Sequence, residues 1–127
     1  MSYVIKHLHD DILIAQWNSD YDRVTEGEAF VLELIEALNN LMKPVVFIQI
    51  IDNVHFSMSD IIDMAFNATK RDDAVLKHHM IQDRVVVTSN RAFQLIAKGL
   101  NSASFGHVKI NIFNELDDAL QYALMTK

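Results

Sequence analysis

The sequence predicts an α/β domain with a mixed, mostly parallel five-stranded sheet and about four helices. The expected order is β-β-α-β-α-β-α-β-α. Three observations carry this. Residues 44–60 open as an apolar run, pass through a polar turn and enter an amphipathic helical pattern, as a buried strand feeding a helix does. Strand-like runs then alternate with stretches whose apolar residues recur at helical spacing, which implies right-handed crossovers and a largely parallel sheet. Finally, one Pro and three Gly in 127 residues leave little room for linkers, so residues 1–127 read as one domain.

Composition narrows the function classes. Half the residues are hydrophobic and 22% are charged, the balance of a globular chain with a sizeable core. A net charge of −6 lacks the basic footprint that nucleic acid or an anionic membrane surface requires. With no Cys there is neither a disulfide framework nor a thiolate site. No apolar run approaches the roughly 20 residues of a membrane helix. Residues 1–7 show no signal-peptide core, so the expected location is cytoplasmic.

Each element has its own signal. Residues 2–8 alternate weakly and read as an edge strand. A tight connection at 9–11 leads to a second strand at 12–17, making an antiparallel hairpin. Thr25 and Glu28 have capping-box spacing, and Phe30, Val31, Leu34, Ile35, Leu38, Leu41 and Met42 form a helical stripe, so helix one is expected over about 26–42. Pro44 stops that helix and starts the third strand, 45–51. Met58, Ile61, Ile62, Ala65, Phe66 and Thr69 form the stripe of helix two. Residues 71–83 lack clean periodicity, although 74–76 can add a helical turn. A fourth strand at 84–88 leads to Ser89 or Asn90, either of which can cap helix three. Its stripe is Ala92, Phe93, Ile96, Ala97 and Leu100, and Gly99 and Asn101 are stop signals. Residues 107–113 alternate and bury one face only, as a strand at an edge or under an open sheet face does. Asn114 is the expected cap of the last helix, whose inward residues are Leu116, Ala119, Leu120, Ala123 and Leu124.

This order, the Val-x-Phe spacing at Val54 and Phe56, and the strand running into Asp52 resemble the STAS domain of the SpoIIAA-like fold group. Trp17 closing the second strand and the Asp117-Asp118-Ala119-Leu120 helix resemble its small stand-alone bacterial members. The resemblance extends from about Tyr3 to Leu124. It implies a cytoplasmic bacterial protein without catalytic chemistry, with helices largely along one sheet face. Anti-sigma factor antagonists of the family carry a phosphorylatable Ser at the start of the helix after the third strand. Ser59 falls nearest that position and Ser57 lies two residues earlier. The family's Asp-Ser-Ser-Gly core is absent here, because Met58 replaces the Asp and no Gly follows.

The expected function is therefore a non-enzymatic regulatory module that docks a protein partner at the turn containing Asp52, Asn53, His55, Ser57 and Ser59. Ser89 and Asn90 are secondary candidates. The alternative is a carrier or sensor of an apolar, lipid-like ligand held in a helix–sheet pocket. No cofactor or metal is expected, and homodimerisation suits so apolar a small domain. Each candidate also has a simpler reading. Ser57 with Asp60 has S-x-x-D cap spacing. His7 and His9, two apart on a strand, suit solvent-facing side chains at a hairpin better than a metal site. Lys77, His78 and His79 read as a solvated loop. His55, Ser57 and Asp52 superficially form a nucleophilic set, yet no nucleophile elbow or glycine-rich oxyanion loop accompanies them.

Overall fold

Seven consecutive residues without a charge, Val45–Ile51, are stable as a strand only when both faces are covered. In the computed structural model they form β3, the centre of a five-stranded sheet. The structure describes residues 2–9, 11–51, 56–69, 75–99 and 108–125. Strand order follows chain order: β1 (Tyr3–Leu8), β2 (Ile12–Trp17), β3, β4 (Ile81–Val87) and β5 (Asn111–Phe113). β1 and β2 pair antiparallel, and the other three pairings are parallel. The expected α/β class, mixed sheet and element order all hold.

Topology dictates which face each helix covers. Parallel strands laid down in one direction by right-handed crossovers place every connecting helix on one side. α1 (Arg23–Asn39), α2 (Met58–Thr69) and α3 (Arg91–Gly99) accordingly share a face. There Phe30, Leu34, Leu38, Ile61 and Phe93 pack over Leu13, Ala15, Val45, Phe47 and Ile51. α4 (Leu116–Met125) follows the last strand and is free to cross to the other side. Its Ala119 and Ala123 are fully buried against the layer of Ile12, Ile14, Val46, Ile48 and Val85. Small residues there let the helix approach the sheet closely. On the crowded three-helix face, truncating Phe47 to Ala would cost about 3–5 kcal/mol through lost burial and the cavity left behind.

β4 contains an irregularity that its residue pattern did not announce. Val45 pairs with Ile81, but Val46 pairs with Asp83, so Gln82 has no partner across the ladder. One extra residue reverses the alternation beyond it. Ile81 faces the three-helix side with Val45. After the bulge, Val85 and Val87 join the α4 layer, and Arg84 and Val86 lie on the three-helix side. Without the bulge, Asp83 would have occupied the face that Arg84 now holds.

Several boundaries differ from expectation. α1 begins three residues early, because Asp22 rather than Thr25 caps it. The Asp22 carboxylate accepts from the Val24 amide at 2.9 Å, and Glu26 reaches back to the Asp22 amide at 3.1 Å. The helix stops at Asn39, which leaves Met42 outside it and 97% exposed. Met58 and Phe66, expected in the inner stripe of α2, are substantially exposed, and Ile61 and Ala65 carry the burial. The helical turn expected at 74–76 is a short 3-10 turn, Val75–Lys77. β4 starts at Ile81 rather than residue 84, and among the described residues of the expected fifth strand only Asn111–Phe113 pair, at the sheet edge. Asn114 does not cap α4. The Ala119 amide bonds the Glu115 carbonyl, which makes Glu115 the cap position, and the Asn114 carboxamide accepts from Gln94 at 2.5 Å. His9 has a positive φ of 58° in the β1–β2 turn, so His7 and His9 do not share a strand face. Leu100 and Asn101 lie outside the described residues.

Candidate functional site

The carboxyl ends of β3 and β4 point to the same sheet edge, so the topology brings the Ser57 and Asn90 turns together. Asp52, Asn53 and His55 lie outside the described residues. Ser57 is the N-cap of α2. Its hydroxyl accepts from the Asp60 amide at 3.1 Å, and the Asp60 carboxylate accepts from the Ser57 amide at 3.2 Å. This reciprocal pair satisfies two amides that a helix start otherwise leaves unpaired. Ser59 is exposed, and its side chain makes no hydrogen bond among the described residues. Asn90 caps α3 through its side-chain oxygen, which accepts from the Ala92 and Phe93 amides at 2.8 and 3.3 Å. Ser89 is exposed beside it. Phe56, just before Ser57, stacks edge-on against Phe93 at 5.7 Å and so ties the two turns together.

Asp60 has a second role. Its Oδ1 lies 3.0 Å from Nη2 of Arg23, the first residue of α1. The Arg23 hydrogen bond, followed by those from the Ser57 amide and hydroxyl, holds the Asp60 carboxyl below its usual range. Asp63 extends the cluster at 3.8 Å from the same nitrogen. This bridge links helices with different main neighbours: α2 packs on α3 and the 3-10 turn, whereas α1 leans toward β1 and the same turn.

The gap between α1 and α2 is a cavity of about 560 Å³. That size falls within the roughly 300–1,000 Å³ of small-molecule sites. Its floor is the sheet, with Trp17, Phe47, Gln49, Ile51, Arg84 and Val86. Phe30, Val31, Leu34 and Ile35 of α1 form one wall, and Ile61, Met64 and Ala65 of α2 the opposite one. Phe93, Ile96 and Ala97 of α3 close the far side. A nearly continuous aromatic set borders the sheet end. Trp17 stacks flat on Tyr21 at 4.7 Å, and Phe30, Tyr3 and Phe56 meet those rings edge-on. Burial, with the Glu26 charge nearby, pushes the Tyr21 hydroxyl up to about 12. The Trp17 indole N–H is buried and finds no acceptor among the described residues.

Two polar side chains stand on this apolar floor. Gln49 is buried, and only its amide nitrogen is engaged, donating to the Ile50 carbonyl at 3.3 Å. Arg84 donates through Nε to the Leu76 carbonyl. Its terminal nitrogens have no acceptor among the described residues, and burial lowers its pKa. The neighbouring Asp83 carboxylate is directed to the opposite face, where it accepts from Asn111 at 2.9 Å and from the Tyr122 hydroxyl. Sequence periodicity missed Arg84 because the bulge at Gln82 has no residue-level signature. Gln49 was visible as the sole interruption of the β3 apolar run, but it carried no functional meaning there.

Of the remaining polar candidates, His78 serves structure. His78 bonds the Asn39 side chain at 2.7 Å and accepts from the Met80 amide at 3.1 Å, which anchors the end of α1 to the start of β4. Among the described residues, no group of three acidic or imidazole side chains converges to hold a metal ion. No described helix is long and apolar enough to cross a membrane. A scan against protein-family models matches no family, and no curated protein or solved structure matches the chain.

Proposed function

We propose that the protein is a non-enzymatic binding module that holds an apolar small molecule between its sheet and helices α1 and α2. The observation that carries this reading is the cavity of about 560 Å³, walled by aliphatic and aromatic side chains and containing few polar groups. Close-packed interiors tolerate few voids larger than a water molecule, so an apolar space of this size calls for an occupant. The exposed apolar residues Val31 and Leu32 of α1 line the same cavity and give a greasy molecule a path inward.

The alternative is partner docking at the β3–α2 turn, the role that the STAS resemblance implies for Ser57 or Ser59. It has less support. The Ser57 hydroxyl is spent on the helix cap, and a phosphate there would lie beside Asp60. Ser59 remains the more accessible of the two.

The test is a titration with N-phenyl-1-naphthylamine, a neutral apolar dye that brightens on leaving water. Saturable binding by the wild type and loss of binding in Ala97→Phe, which fills the space beside α3, are expected. No saturable binding by the folded wild type would remove this reading.

A further inference from the structure

We infer that the molecule held in this cavity carries a carboxylate, and that Arg84 and Gln49 receive it. This rests on the binding reading above and adds the chemistry of the ligand's head group. The argument begins with register. Gln49 of β3 pairs with Val86 of β4, and Phe47 pairs with Arg84. Gln49 and Arg84 therefore occupy diagonal positions on adjacent strands of the same sheet face, within reach of one another for side chains of this length.

Both residues are incompletely satisfied where they stand. A cation in an apolar site is normally paired, because desolvation penalises the charged form. Arg84 has one backbone carbonyl for its Nε and no carboxylate partner among the described residues. Asp83, adjacent in sequence, is held on the opposite face by Tyr122 and Asn111. Strand alternation separates the two side chains, and the Gln82 bulge decides which face each one takes. It turns the anion of the pair toward α4 and the cation toward the cavity. Gln49 adds a carboxamide beside the guanidinium, on an otherwise apolar floor.

A planar singly charged head matches this set. The free edge of the guanidinium and the second amide N–H of Gln49, its first being given to the Ile50 carbonyl, can donate to two carboxylate oxygens. A phosphate dianion would bring about twice the charge to the one guanidinium beside Gln49, because the other lining cation, Arg23, is paired with Asp60. The rest of the cavity, from Arg84 toward Trp17 and the Phe30 wall, is mostly apolar, with Glu28 and Asn67 also in its lining, and suits a hydrocarbon tail. The ligand class is therefore an amphiphilic carboxylic acid, such as a fatty acid.

The experiment compares dodecanoate, methyl dodecanoate and dodecyl phosphate on the intact protein, read by calorimetry and by the fluorescence of its single Trp, Trp17. Charge-assisted hydrogen bonds should make dodecanoate bind about 10- to 100-fold more tightly than its methyl ester. Arg84→Gln should remove most of that difference by weakening acid binding far more than ester binding. Gln49→Leu, which leaves the Arg84 hydrogen bond to Leu76 intact, should narrow the same gap. Equal affinity of the wild type for acid and ester would overturn the head-group inference while the apolar cavity stands. Tighter binding of dodecyl phosphate than of dodecanoate would overturn the choice of carboxylate. Binding of none of the three, and of no neutral dye, would overturn the cavity reading as well.

Discussion

Arg23 and Asp60 join the first residue of α1 to the first turn of α2 through a 3.0 Å contact, and Arg23 also lines the cavity. Asp60 is at the same time one half of the α2 capping pair with Ser57. One carboxylate thus fixes where α2 begins and how far it stands from α1. The sheet beneath is continuous, so helix spacing rather than strand geometry sets the width of the cavity.

The two serines of this turn should separate cleanly on substitution. Ser57→Ala removes the hydroxyl that receives the Asp60 amide, and should lower stability by about 1 kcal/mol. Ser59→Ala removes an exposed hydroxyl and should change stability by less than about 0.5 kcal/mol. Chemical denaturation of both variants decides the matter. A larger loss from Ser59→Ala than from Ser57→Ala would mean that the cap is misplaced.

This pair also shows how much of the site was legible. The S-x-x-D spacing revealed Ser57 as a cap, because capping is a local property of four adjacent residues. Asn90 was legible for the same reason. The cavity was not, because its lining comes from three strands, three helices and the 3-10 turn, and depends on a gap between α1 and α2 that no single stripe encodes. Arg84 was hidden more deeply, since the bulge at Gln82 changes which face it occupies without changing the residues around it. The fold was more legible. Alternation of helical stripes with strand-like runs is a chain-wide signal, and handedness then assigns α1, α2 and α3 to one face. Met42 and Asn114 were misassigned where a periodic pattern ran beyond the true end of its element.

Deleting Gln82 should be better tolerated than a deletion inside a strand usually is. Gln82 is the extra residue, so its removal leaves Ile81 opposite Val45, Asp83 opposite Val46 and Arg84 opposite Phe47. Asp83 keeps its bonds to Tyr122 and Asn111, and Arg84 keeps its place on the cavity side. The deletion is expected to fold with only a modest fall in melting temperature, and Gln82→Ala, which keeps the extra residue, should be nearly neutral. Thermal unfolding followed by circular dichroism measures both. Failure of the deletion to fold would show that the bulge itself, and not only the facing of the residues beyond it, is needed.

Alkaline pH should destabilise the fold through its tyrosines. The Tyr122 hydroxyl, bonded to Asp83, and the buried Tyr21 hydroxyl are both raised from 10.0 to about 12, and Tyr3 shifts in the same direction. The folded state keeps these protons at a pH where the unfolded chain releases them. Their stabilising contribution is therefore full below about pH 10 and is lost as pH rises toward 12. Tyr122→Phe should show a shallower decline of melting temperature across this window than the wild type. An equally steep decline would remove Tyr122 from the titrating set.

The most direct measurement is NMR mapping of the wild-type protein titrated with N-phenyl-1-naphthylamine, following backbone amides, methyl groups and the single indole. The expected shifts gather on the Trp17 indole, the methyl groups of Val31, Ile61 and Ala97, and the Gln49 side chain, while Ala119 and Ala123 beneath α4 stay unmoved. Shifts concentrated on α4, or no saturable shift at any of the cavity residues, would contradict a ligand seated between α1, α2 and the sheet.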